Sequence, residues 1–169
     1  MTRGFSARDW GFVTALIALI LDQGSKLSLL HLFGFNQFRS GEAISIFPFF
    51  NLVMVWNPGV SYGLFPARGL VGTVILGLFS AAAVVALGVW MWNSHRKSLT
   101  IGLGLVIGGA LGNLIDRVAY GAVADFFHFF AFGYDWYVFN VADVAITFGV
   151  IALLYDALVK PEARAERST

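Results

Sequence analysis

The residues best equipped for chemistry in this sequence are aspartates set beside amides and cations in otherwise apolar surroundings. Asp22 and Lys26 are four apart, which places them on one face of a helix with the acid nearer its amino end. Asn113 lies three before Asp116 and four before Arg117, so these three also share a side. Asn140 and Asp143 are three apart, and Asp125 falls between those two groups. Two carboxyl groups brought together in a poorly solvated place cannot both ionise cheaply, so one keeps a proton while the other stays charged. Such a pair can activate water against a carbonyl. The ionised acid takes water's proton, and the protonated acid donates to the carbonyl oxygen. Asp125 and Asp143 suit this role because neither has a basic residue at helical spacing.

Each of these residues also has a purely structural reading. Asp22 with Lys26 reads first as an ion pair anchoring one helix. Adjacent on a regular helix, Asp116 and Arg117 cannot face each other, but either can clamp a neighbouring helix or loop. Asn57 and Asn113 can satisfy buried backbone groups, which are costly to leave unpaired in hydrocarbon. Gly104, Gly108 and Gly112 form a small-residue ridge at four-residue spacing, suited to close helix packing. Asp156 reads as a solvated helix terminus. Spacing alone leaves Asp125 and Asp143 open between a catalytic pair and structural roles.

The elements that must position these residues are membrane spans. The chain of 169 residues is 58% apolar and 12% charged, about half the charged fraction of a soluble domain. So few charges cannot screen that much hydrocarbon from water, and lipid must act as solvent. Four stretches are long and apolar enough to cross about 30 Å of hydrocarbon as helices: about 10–32, 70–92, 99–115 and 139–159. The third is the shortest. The first carries Asp22 and Lys26 and is too long for the apolar core of a cleaved leader, so it reads as a retained helix. The fold class is therefore membrane all-α, one integral-membrane domain over residues 1–169. The absence of cysteine excludes disulfides and thiol chemistry, and no basic stripe points to nucleic acid.

Four spans put both termini on one side. Arg3, Arg8, Arg96, Lys97, Lys160, Arg164 and Arg167 cluster at the proposed inner ends, against Arg39, Arg68 and Arg117 outside. Seven against three places the termini in the cytoplasm. Helix direction then carries Asp22, Asn113, Asp116, Asn140 and Asp143 to a similar depth in the outer half of the bilayer. Between the first two helices, Ala43 to Trp56 is rich in β-branched and aromatic residues and is broken by Pro48, which predicts a small strand platform on the membrane surface. Between the last two, nine aromatics from Phe126 to Phe139 predict an interfacial loop. The charged tail after Lys160 is expected to be disordered.

The quoted residues resemble those of the bacterial lipoprotein signal peptidases, or signal peptidase II. The matching segments are Asp22-Gln23-Gly24-Ser25-Lys26, Asn57-Pro58-Gly59, the run from Gly108 to Arg117, Val123-Ala124-Asp125-Phe126 and Phe139-Asn140-Val141-Ala142-Asp143. They stand in the family's order and spacing. The resemblance implies four transmembrane helices with a small extracytoplasmic β-cradle. It implies a catalytic pair, Asp125 and Asp143. It further implies site-shaping positions at Asn57, Gly59, Asn113, Asp116, Arg117 and Asn140, with Asp22 and Lys26 as a supporting pair. The implied partner is a diacylglyceryl-modified prolipoprotein cut just before its lipidated cysteine at the outer face of the cytoplasmic membrane. No metal or cofactor is implied, and inhibition by the cyclic peptide globomycin is. Membrane lipids are the other expected partner, and a monomer is expected. Val60, Ser61 and Tyr62 depart from the commoner Ala-Ala-Phe-like residues, a change of packing volume.

Three rival readings have sequence features of their own. Gly59-Val60-Ser61-Tyr62-Gly63 matches the Gly-x-Ser-x-Gly nucleophile pattern, but without its strand–turn–helix setting, and of the three histidines only His128 is placed to assist. Buried carboxylates also mark ion pathways. A pathway needs polar groups at several depths, however, and the second span has no ionisable residue. Metal hydrolysis lacks a His-Glu-x-x-His or any paired ligand spacing.

Overall fold

The third helix is the axis on which the other elements are hung. The computed structural model describes residues 4–38, 42–59 and 69–159, so Ser61, Arg39, Arg68 and the tail beyond Val159 lie outside the described residues. Four helices are long and apolar enough to cross a membrane. They are α1 (Ala7–Leu27, continued by a wider turn through Ser28–Leu32), α2 (Gly69–Trp92), α3 (Lys97–Tyr120) and α4 (Val141–Val159). Ser6 opens α1 with a reciprocal capping box to Asp9. The third helix runs past the expected stop near Ile115 to Tyr120. It ends at Gly121, whose φ of +77° only glycine adopts readily and whose N–H donates to the Arg117 carbonyl at 3.0 Å.

Glycines let α3 approach two helices at once. A β-carbon on Gly104 would strike the Gly11 carbonyl, one on Gly108 the Ala15 carbonyl, and one on Gly112 the Asp22 carboxylate. That row seats α1. On another face, a β-carbon on Gly109 would lie 2.5 Å from the Ala142 carbonyl oxygen, and one on Gly102 3.3 Å from that of Gly149, so this row seats α4. In hydrocarbon such contact replaces the hydrophobic effect as the force between helices. Helix α2 packs chiefly on α3 and makes no substantial contact with α4. Leu70, Leu78, Phe79 and Val85 on α2 are largely exposed, as a lipid-facing surface should be.

A four-stranded antiparallel sheet covers one end of the bundle, in the order β1 (Ala43–Phe47), β2 (Phe50–Asn57), β3 (Val123–Ala131), β4 (Tyr134–Asp135). The platform expected between the first two helices is the β1–β2 hairpin, turning at Pro48. The aromatic stretch after α3 differs from the expected loop. Its first half is β3, which pairs with β2 and draws both connections into one sheet. Its aromatics follow no period-2 alternation because strand faces here meet either other rings or the bundle. Phe126 is buried with Leu30, Phe35 and Ala124, fastening the start of β3 to the end of α1.

At the opposite end, Asp156 is not the solvated terminus that the sequence suggests. It is 2% exposed, pairs with Arg96 at 2.7 Å and accepts from the Ser98 hydroxyl at 2.6 Å. The α2–α3 turn is thereby tied to the end of α4.

Candidate active site

Strand pairing sets the first two polar side chains together. Val55 stands opposite Asp125 and Asn57 opposite Val123, so Asn57 and Asp125 are diagonal neighbours on one face. The Asn57 amide Nδ2 donates to Asp125 Oδ2 at 3.0 Å. The start of α4 is drawn to the same strand by Phe139, whose carbonyl accepts from the Phe126 and Phe127 N–H groups at 3.1 and 2.9 Å. Asn140 follows and caps α4. Its Oδ1 accepts from the Asp143 N–H at 3.0 Å, while its own N–H donates to Asp143 Oδ2 at 3.3 Å. The Asn140 Nδ2 reaches Asp125 Oδ1 at 2.6 Å and Asn113 Oδ1 at 3.1 Å. One side chain thus bonds to both aspartates that the sequence singled out.

The two carboxyls differ in their surroundings. Asp125 is fully buried, whereas Asp143 is half-buried on the wall of a cavity of about 630 Å³ between α2 and α4. Asn57, Gly59, Asn113 and Arg117 line the same cavity. Burial first, and then the charge of Asp143, push the Asp125 carboxyl up to about 7, against the opposing pull of the Asn57 and Asn140 amides. Asp143 sits in the first turn of α4, where Asn140 and Asp22 take up the Asp143 and Ala142 N–H groups.

Behind this pair lies a buried ionic group. The Lys26 ammonium bonds to Asp22 at 2.9 Å, Asp116 at 2.8 Å and Asn113 Oδ1 at 3.0 Å. Asp22 Oδ1 accepts from the Ala142 N–H at 2.9 Å and Asp116 Oδ2 from the Ala124 N–H at 3.1 Å. The two carboxylates that Lys26 joins therefore grip the residues just before the two aspartates, Asp22 before Asp143 and Asp116 before Asp125. Asn113 Nδ2 donates to Asp143 Oδ1 at 3.1 Å. The Arg117 guanidinium donates to the Gly59 carbonyl at 2.8 Å and the Asn113 carbonyl at 3.2 Å, clamping the end of β2 to α3. The positions that the resemblance implied for the site and its support, from Asp22 to Asp143, converge at the sheet end of the bundle.

Two members escaped the sequence reading. Gln23 donates to Asp22, the Gly112 carbonyl and Asp116, each at 3.1 Å; its place next to Asp22 was the available clue. Tyr137 accepts from Asn57 Nδ2 at 2.8 Å, and nothing separates it in sequence from the surrounding aromatics. Of the rings between Phe126 and Phe139, Trp136, Tyr137 and Phe139 line the cavity; Phe127 packs instead on Phe50 and Phe139. Among the described residues no three His, Cys, Asp or Glu side chains converge in a metal-holding group.

The chain is 55% identical over 153 residues to a lipoprotein signal peptidase of Rhodopseudomonas palustris (strain TIE-1), covering 88% of this chain and 92% of that protein. It is 54% identical over 160 residues to the lipoprotein signal peptidase of Nitrobacter hamburgensis, covering 92% and 96%. A solved bacterial membrane enzyme, determined in meso at 2.3 Å resolution, superposes with a TM-score of 0.74 at 28% identity, over 90% of this chain and 92% of that one. The family described as signal peptidase (SPase) II matches residues 14–159, from within α1 to the end of α4. A match across every helix and strand that builds the site places this chain in the signal peptidase II family.

Proposed function

We propose that this chain is an aspartyl endopeptidase of the bacterial cytoplasmic membrane that removes signal peptides from diacylglyceryl-modified prolipoproteins, cutting just before the lipidated cysteine. Family membership supports the peptidase class and the prolipoprotein substrate. The observation that carries the mechanism is Asn140, whose side chain bonds to the Asp125 carboxyl and whose backbone N–H bonds to that of Asp143, the latter on a cavity wall.

In this reading Asp125 holds the shared proton and Asp143 is ionised. Asp143 takes a proton from water while the water oxygen bonds to the scissile carbonyl carbon; Asp125 gives its proton to the carbonyl oxygen. The tetrahedral diol then collapses. The C–N bond breaks, the departing amine receives the proton from Asp143, and a diol hydroxyl returns one to Asp125. Asn113, Asn57 and Asn140 orient the carboxyls, Lys26 with Asp22 and Asp116 supports them, and Arg117 with Gly59 shapes the cavity. Both termini face the cytoplasm and the site faces the other side of the membrane. Two acyl chains hold the substrate in the bilayer, at about 0.8 kcal/mol per buried methylene, and the gap between α2 and α4 admits it laterally. A globomycin-type cyclic peptide would compete for this cavity.

Cleavage of a lipidated precursor by wild type, Asp125→Asn and Asp143→Asn, with insertion verified for each, tests the reading. Both variants should insert and leave the precursor uncut. If Ser61→Ala were inserted yet inactive while either amide variant cleaved normally, a serine nucleophile would replace the aspartate pair.

A further inference from the structure

We propose that Tyr137 is a positioning residue of this site, holding the Asn57 side chain in the one orientation in which its amide donates to Asp125. The inference rests on the two-aspartate reading above and assigns a new role within it. Tyr137 lies in the short connection between β4 and α4, on the cavity wall beside Asn57 and Asp143. Its hydroxyl oxygen accepts from Asn57 Nδ2 at 2.8 Å.

The case is an accounting of one amide. A primary amide has two N–H donors and one carbonyl acceptor. Asn57 gives one hydrogen to Asp125 Oδ2 at 3.0 Å and the other to Tyr137, and its Oδ1 accepts from the Gly59 N–H at 3.0 Å. Three different parts of the chain therefore fix three corners of one group: the end of β2, strand β3 and the connection before α4. Without the tyrosine oxygen, the second hydrogen faces a cavity and the amide is held along one edge only. It can then tilt away from Asp125, or turn to take its partner from the cavity. The hydroxyl stands one residue group away from the reacting atoms, and its effect reaches them through Asn57.

The direction of the effect follows. An N–H aimed at a carboxylate favours the charged form. Loosening Asn57 therefore lets Asp125 keep its proton to higher pH, and the alkaline limb of the rate profile moves upward. Lost packing alone would lower the rate without moving that limb.

Tyr137→Phe keeps the ring and the cavity wall and removes only the oxygen. With the lipidated precursor, kcat should fall about three- to tenfold, the range for one lost hydrogen bond, with KM within about twofold of wild type. The alkaline limb should shift upward. In an Asn57→Ala background, Tyr137→Phe should no longer move the limb, because the shift reaches Asp125 through that amide. An unmoved limb, or a limb that Tyr137→Phe still shifts in the Asn57→Ala background, would overturn the assignment. Wild type and Asp125→Asn are run in parallel. An active Asp125→Asn removes the aspartate pair itself, whereas an inactive one with an unmoved Tyr137→Phe limb removes only the role of Tyr137.

Discussion

The Lys26 ammonium lies 3.0 Å from Asn113 Oδ1, and this contact decides which way round the Asn113 amide sits. The oxygen faces two donors, Lys26 Nζ and Asn140 Nδ2, so the nitrogen must face Asp143 Oδ1, 3.1 Å away. A reversed amide would set N–H against N–H on one side and oxygen against carboxylate on the other. A cation that never reaches the cavity thus dictates a donor that does.

Replacing Lys26 by Met keeps most of the volume and deletes that charge. Asp22 and Asp116, 0% and 1% exposed, would then share a buried site with no cation between them. Breaking such a group costs about 3–5 kcal/mol. The Lys26→Met protein should unfold at markedly lower temperature in detergent and cleave its precursor at background rate. An unchanged melting temperature would show that water or a proton replaces the ammonium without loss.

The Asp125 carboxyl, raised to about 7, carries a stability cost with a definite sign. Its folded pKa exceeds the unfolded value, so the folded protein binds the extra proton between about pH 4 and 7. Stability at this group is complete below about pH 4 and declines as pH rises through about 7, by a few kcal/mol in all. Asp125→Asn cannot ionise. Its melting temperature relative to wild type should therefore climb from pH 5 to pH 8, whatever the difference is at pH 5. A gap that stays constant across that range would contradict the raised value. Catalysis should show the same group as a loss of rate above about pH 7.

Glycine contacts give a sharper structural test. Gly108→Ala drives a methyl into the Ala15 carbonyl and the Ala18 β-carbon of α1, neither of which can swing aside. Overpacking of this kind costs about 1–3 kcal/mol. Gly88→Ala on α2 meets nothing within 4 Å and should leave stability unchanged. Thermal melts of the two variants should differ accordingly, and equal melts would mean that α1 can slide on α3.

These residues also show why some of the structure was legible in the sequence and some was not. Number and order of spans follow from apolar length. The Asp22–Lys26 pair and the 104–108–112 ridge follow from helical spacing, because both partners, or all three glycines, lie on one helix. The third helix outran its expected end because Asp116 and Arg117 looked like a boundary. Their charges are in fact satisfied inside the helix by Lys26 and Gln23 and by the Gly59 carbonyl, from segments far away in sequence. Asp156 was misread for the same reason, its partner Arg96 being 60 positions distant. Strand β3 hid among aromatics that fit an interfacial belt equally well, since its partner β2 lies beyond a whole helical hairpin. Tyr137 was one ring among nine.

The aromatic connection before α4 supports a final prediction about substrate capture. Were residues 126–139 an interfacial loop, Phe127, Phe129 and Phe130 would be free to cover the scissile bond. The sheet gives those segments other work: the Phe127 and Phe129 rings pack against Phe50 and Phe139, and Phe130 donates its N–H to the Phe49 carbonyl. Trp136 instead lines the cavity while remaining 62% exposed, so an incoming peptide would bury it. Burying an indole contributes mainly to binding, in ground state and transition state alike, and such uniform binding appears in KM rather than kcat. Trp136→Ala should therefore raise KM for the lipidated precursor about tenfold with kcat nearly unchanged, whereas Phe132→Ala, at a fully exposed turn position, should alter neither. A Trp136→Ala enzyme with normal KM and reduced kcat would place the indole at the reacting bond instead, closing over it as the transition state forms.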